Sequence, residues 1–203
     1  MLTQKKINEA IKHARQRSYE KKIDDAIEEA VERTRSKLAG DNALGFIYND
    51  GGRADAGYKG STGDCVVRAI AIAEQRDYEE VRRELMEYNR NYANTSRSRI
   101  AKKIQKRGAT TRRGNWKRVY EKLLDNNGWT KHAKIRVGST DRCYMLKSDI
   151  PSGRVLLKVR RHLVACVDHV INDTWDSRES DLWVDGLPTA FKTPKCVTTI
   201  WTR

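Results

Sequence analysis

Apolar residues recur along this chain in two rhythms, and the change between them falls near Gly128. Before it the spacing is three to four, the period of a helix face. Ile7, Ile11 and Ala14, then Ile23, Ala26, Ile27, Ala30, Val31 and Leu38, predict helix over residues 3–38, uninterrupted by Pro or Gly. The stripe is narrow and Ala-rich, so this arm needs a partner surface, either its own domain or another copy for self-association. Gly40 ends it, and residues 41–63 carry six glycines with Asn49 and Asp50. That stretch reads as a loop that approaches other backbone closely. Val66, Val67, Ala69, Ile70, Ala71, Ile72 and Ala73 are apolar nearly all round and predict a buried helix that starts at Cys65 and ends at Gln75 and Arg76. Asp77 to Glu80 has capping-box spacing, and Val81, Leu85, Met86 and Tyr88 carry an amphipathic helix to about residue 90. Ile100 and Ile104 allow a short helix broken by Gly108 and Gly114, and Trp116, Val119, Tyr120, Leu123 and Leu124 make one more, closed by Asn126, Asn127 and Gly128.

Beyond Gly128 the rhythm changes to that of strands. Residues 134–137 alternate, residues 154–160 are apolar and β-branched, and residues 196–201 read as one last strand. Residues 162–167 and 170–175 flank Asp168 and His169 as a hairpin. Helices first and strands after predict an α+β domain over residues 41–203, with helices packed on a C-terminal antiparallel sheet behind a charged helical arm at 1–40.

Charge changes this picture at one place. Of the net charge of +14, most lies in residues 97–120, which hold ten basic side chains and no acidic one. Arg97, Arg99, Lys102, Lys103, Lys106, Arg107, Arg112, Arg113, Lys117 and Arg118 are candidates to neutralise phosphates of a nucleic acid or another polyanion. The aromatics are not interleaved for base stacking, so sequence-specific readout is not expected. An acidic protein partner and a merely solvated face are the alternatives. No apolar run is long enough to span a bilayer, and the N-terminus lacks the apolar stretch of a signal peptide, which predicts a cytoplasmic protein without a membrane partner. Cys65, Cys143, Cys166 and Cys196 lie far apart with no CxxC pair, so free thiols are expected and no metal or other cofactor.

Cys65 is the chemically loaded position. A thiol at a helix N-terminus meets unpaired N–H groups and the positive end of the helix dipole, which favour the thiolate and can hold an oxyanion. A nucleophilic thiol needs a base, and of the four histidines only His162 has a positioned carboxylate. With a two-residue turn at Asp168 and His169, Val167 pairs with Val170 and Val164 with Asp173. His162 and Asp173 then share one face as diagonal neighbours, the arrangement in which a carboxylate orients an imidazole. One more residue in the turn would undo this.

The run from Gly63 through Ala73, followed by Asp77 to Val81, resembles the nucleophile helix of papain-like cysteine peptidases, most of all an uncharacterised phage and prophage branch. Residues 161–176 resemble the His and Asp strands of that branch, and Asn127, Gly128 and Trp129 also fit. The resemblance covers roughly residues 45–203. It implies a papain-like fold, Cys65 as nucleophile, His162 as general base and acid, Asp173 as orienter, and a protein or peptide substrate cleaved at a peptide, isopeptide or amide bond. It also implies a place in the host cytoplasm or in a virion. The helix start is similar to that of OTU-type deubiquitinases as well, but Leu163 stands where they carry an aromatic. Lys59 stands where papain has its oxyanion glutamine. That leaves the backbone of Cys65, with Asp64 and Thr62 nearby, as the oxyanion candidates. The alternative function is a catalytically silent scaffold that binds nucleic acid or a virion or host partner through the basic segment and the arm.

Overall fold

The structure, a computed structural model, describes residues 42–60, 62–133, 142–184 and 187–203. The arm and the strand expected at 134–137 lie outside the described residues. Four helices are described: α1 (Cys65–Glu74), α2 (Tyr78–Thr95), α3 (Arg99–Arg107) and α4 (Lys117–Asn126). Ten strands accompany them: β1 (Gly45–Tyr48), β2 (Thr130–Ala133), β3 (Cys143–Tyr144), β4 (Arg154–Val159), β5 (His162–Val167), β6 (Val170–Asp173), β7 (Glu179–Val184), β8 (Leu187–Pro194), β9 (Cys196–Val197) and β10 (Thr199–Thr202). The main sheet has six strands in the order β1-β6-β5-β4-β10-β2. β3 pairs with β9 and β7 with β8 in two small sheets. The architecture is α+β, as the order of patterns predicts. Among the described residues no helix is long and apolar enough to cross a membrane.

The main sheet is antiparallel except at one edge. There β1 runs parallel to β6, from Gly45 opposite Val170 to Tyr48 opposite Asp173. The stretch read as a glycine-rich loop therefore holds a short strand. Its four residues show no alternation, and its partner lies far along the chain. The expected last strand is two. Thr198 interrupts it by turning its N–H and its hydroxyl to the Lys158 carbonyl, at 2.8 and 3.0 Å. β9 then pairs with β3, while β10 enters the main sheet between β4 and β2. α2 runs past residue 90 to Thr95 because Asn89 and Ala93 are buried on its far half. Its start follows the predicted cap: the Asp77 side chain accepts from the Glu80 N–H at 2.9 Å. The Glu80 carboxylate, however, pairs with Arg76 rather than closing the box.

The sheet is buried on both faces, and strand alternation sorts its side chains between two cores. Leu156, Leu163, Ala165 and Trp201 face the helices and pack with Val67, Ile70, Leu85, Tyr120 and Leu124. Val155, Leu157, Val164, Cys166, Ile171 and Ile200 face the other way and pack under Leu44, Met145, Ile150 and Val197. α1 lies directly against β5, β4 and β6. An all-round apolar helix is what such a central position needs.

Candidate active site

Cys65 is the first residue of α1, and its thiol is half-buried beside the start of β5. The hairpin turn brings His162 to it. Asp168 and His169 form the turn with φ of 46° and 64°, both left-handed. That is a two-residue turn without glycine, carried by residue types that tolerate this region better than most. The predicted register follows, with Val167 opposite Val170 and Ala165 opposite Asn172. His162 and Asp173 accordingly meet, with Nε2 of His162 2.5 Å from Oδ2 of Asp173. Asp173 is itself held, since its Oδ1 accepts from the Thr174 N–H at 2.8 Å. The imidazole is also hydrogen-bonded to the Cys65 thiol. With Nε2 given to Asp173, Nδ1 is the ring nitrogen left for sulfur.

The register supplies one more contact, which sequence reading missed. Odd-numbered residues of β5 aim their N–H groups toward β6 when the turn has two residues. The β5–β6 pairing stops at Ala165 opposite Asn172. Leu163 thus has no strand partner on that side, and its backbone hydrogen-bonds the Cys65 sulfur instead. The sulfur sits at the place in the sheet that β6 vacates.

Burial acts most strongly on the Cys65 thiol and would push it up. The His162 hydrogen bond and charge, the Leu163 backbone and the Arg68 charge outweigh it, and the thiol is held below its ordinary range. Burial likewise would push His162 down, but Asp173 and Cys65 carry it up to about 9. Opposed shifts of this kind favour a thiolate–imidazolium pair near neutral pH.

Two surrounding groups close the site. Trp175 stands tilted against the His162 ring, centroids 5.4 Å apart, and remains 47% exposed. Lys195 places its ammonium 4.1 Å from the centre of the Trp175 ring. Sequence reading left both out, because they reach the site from the end of the hairpin and from the chain between β8 and β9. Tyr120, read as core, does lie in the core cluster against which Cys65 packs, but its hydroxyl is buried there without a hydrogen-bond partner.

The oxyanion candidates differ in what they offer. The Cys65 N–H lies in the first turn of α1, where no intrahelical acceptor exists. The Asp64 side chain is spent elsewhere: buried to 1% exposure, it pairs with Arg53 at 2.8 Å and Arg68 at 3.0 Å and accepts from the Tyr78 hydroxyl at 2.6 Å. The Thr62 hydroxyl donates to the Arg112 carbonyl at 2.8 Å. Lys59 is exposed on the loop, and its carbonyl accepts from Arg53.

The other histidines and cysteines stand apart. His132 bonds Thr202 on the edge strand, and His169 bonds the Ile150 carbonyl. His13 lies outside the described residues. None of the four cysteines is in a disulfide, and burial pushes Cys166 up to about 12, the behaviour of an inert core thiol.

The basic segment divides in two. Arg97 and the outward residues of α3 are exposed, while Lys103 and Arg107 stand over the Trp116 ring at 5.7 and 5.2 Å. Arg107 also donates to the Arg113 and Gly114 carbonyls. The second part abuts the loop before Cys65. Gly63 forms a parallel bridge with Arg113, and its N–H donates to the Arg112 carbonyl at 2.9 Å. Comparison with known protein families, with curated proteins and with solved structures finds no match to this chain.

Proposed function

We propose that the chain is a cysteine peptidase-like hydrolase of the papain-like kind, close to the phage-type branch that its motifs resemble. The observation that carries this reading is the chain of contacts from the Cys65 thiol through the His162 ring to the Asp173 carboxylate. Nothing in a merely structural cysteine calls for a base and an orienting carboxylate aligned on it at a helix start.

The chemistry follows from the geometry. The Cys65 thiolate attacks the carbonyl carbon of the scissile bond, and the C=O electron pair moves to oxygen. The Cys65 N–H and the dipole of α1 receive that oxyanion. As the pair returns, the C–N bond breaks and the imidazolium hands its Nδ1 proton to the departing nitrogen. His162 then takes a proton from water, hydroxide attacks the thioester carbonyl, and the C–S bond breaks to restore the thiolate. Asp173 holds the ring by Nε2 through both halves. No cofactor enters the scheme.

A thiol-directed activity probe tests it. Wild type should label at Cys65, and Cys65→Ser and His162→Ala should not. Labelling that is indifferent to His162 would leave Cys65 an ordinary thiol and end this reading. A second reading rests on the exposure of every cation in the segment except Arg107. On that reading a silent scaffold holds nucleic acid, and salt-sensitive DNA retention would survive Cys65→Ala but not neutralisation of residues 97–118.

A further inference from the structure

We infer that the surface around Cys65 takes an acidic peptide segment, with the basic segment beside it supplying part of the charge. This rests on the peptidase reading and adds the substrate class. Three placements carry it. First, the bridge between Gly63 and Arg113 sets Arg112 and Arg113 two residues from the nucleophile, with both side chains exposed and in no ion pair among the described residues. The approach is tight: a Cβ on Gly63 would lie 3.0 Å from the Gly114 nitrogen. Second, Lys158 sits beneath the base, its ammonium donating to the His162 carbonyl at 3.1 Å and the Val159 carbonyl at 2.8 Å. Third, Lys195 lies over Trp175, whose ring stands against that of His162.

Acidic groups are near, and Asp173 and Asp176 both act on Lys195, but each is already engaged, Asp173 with His162. Asp64 is buried between Arg53 and Arg68, Glu121 pairs with Lys131 at 2.6 Å, and Asp176 pairs with Arg178 at 2.7 Å. Cations gathered around a half-buried thiol raise the positive potential that an incoming substrate meets. A peptide is favoured over nucleic acid because the reacting group is an acyl-transfer nucleophile and Trp175, the aromatic against the His162 ring, already carries Lys195 on its own ring.

The test reads the potential at the sulfur without needing the natural substrate. The full chain is treated with iodoacetate and with iodoacetamide, and modification of Cys65 is followed by site-resolved mass spectrometry. Each reagent forms an S–C bond and releases iodide, and the two differ in charge. The iodoacetate-to-iodoacetamide rate ratio should exceed that of the urea-unfolded chain by about tenfold at low salt. It should fall toward the unfolded value with added salt and in Arg112→Glu/Arg113→Glu, whereas Arg90→Glu on α2 should keep it. A glutamate-rich peptide should slow iodoacetamide at Cys65, and its glutamine counterpart should not. Rapid Cys65 labelling with an unfolded-like ratio, or equal protection by both peptides, overturns the acidic substrate and leaves the peptidase reading standing. Labelling no faster than in the unfolded chain overturns both. Protection by a single-stranded oligonucleotide but not by the glutamate peptide overturns the proposal in favour of nucleic acid.

Discussion

His162 is bonded on one side to a carboxylate and on the other to a thiol, and this sets a pH window. As pH falls, the thiolate is protonated at a value below the ordinary thiol range, because His162, Leu163 and Arg68 favour the anion. As pH rises through about 9, the imidazolium loses its proton. Alkylation needs only the thiolate, so its rate should show the acid limb alone. The proposed hydrolysis needs the imidazolium as well, so its kcat/KM should be bell-shaped with its basic limb near 9. A basic limb that is absent, or that persists unchanged in Asp173→Asn, would contradict these roles. Asp173→Asn removes the charge that lifts the imidazole, and kcat should fall by about a hundredfold or more. Its alkylation rate near pH 6 should fall too, since less of the thiolate survives there. The identities of Cys65, His162 and Asp173 are legible in the sequence because helix start, strand parity and turn length are local properties. The Leu163 contact is not, since it depends on β6 ending early.

At the scale of elements, the loop before α1 decides where Cys65 stands. Thr62 and Gly63 are both tied to Arg112, and the Cβ of an alanine at 63 would meet the Gly114 nitrogen at 3.0 Å and the Arg112 carbonyl oxygen at 3.2 Å. Both contacts are backbone, which cannot swing aside. Gly63→Ala should therefore cost about 1–3 kcal/mol in denaturant unfolding and slow Cys65 labelling at the same time. Unchanged stability and unchanged labelling would mean that this seam is loose. The glycine-rich composition foretells close backbone approach but not its partner. Nor does it reveal β1, whose pairing with β6 is parallel and remote. Likewise the break at Thr198 follows from the Lys158 carbonyl, a group on another strand.

Across the whole molecule, Asp64 links three pieces of the chain: Arg53 in the loop after β1, Arg68 on α1 and Tyr78 at the start of α2. Removing one member of a buried charged cluster strands the others. Asp64→Asn should destabilise the fold by about 3–5 kcal/mol, measured as a lower midpoint of chemical unfolding without a proportional change in its slope. A variant within about 0.5 kcal/mol of wild type would show that the arginines find water instead. The sequence alone settles the α+β order and the buried nature of α1, because each depends on residue periodicity over a few positions, and it sets the pairing of His162 with Asp173 once the turn is given two residues, which the structure shows. Only the tertiary structure decides that Cys65 reaches the vacated end of β6, that Trp175 and Lys195 close one flank, and that the basic segment docks beside the nucleophile. Those contacts join residues many positions apart, and no local period records which distant backbone will supply a missing hydrogen-bond partner.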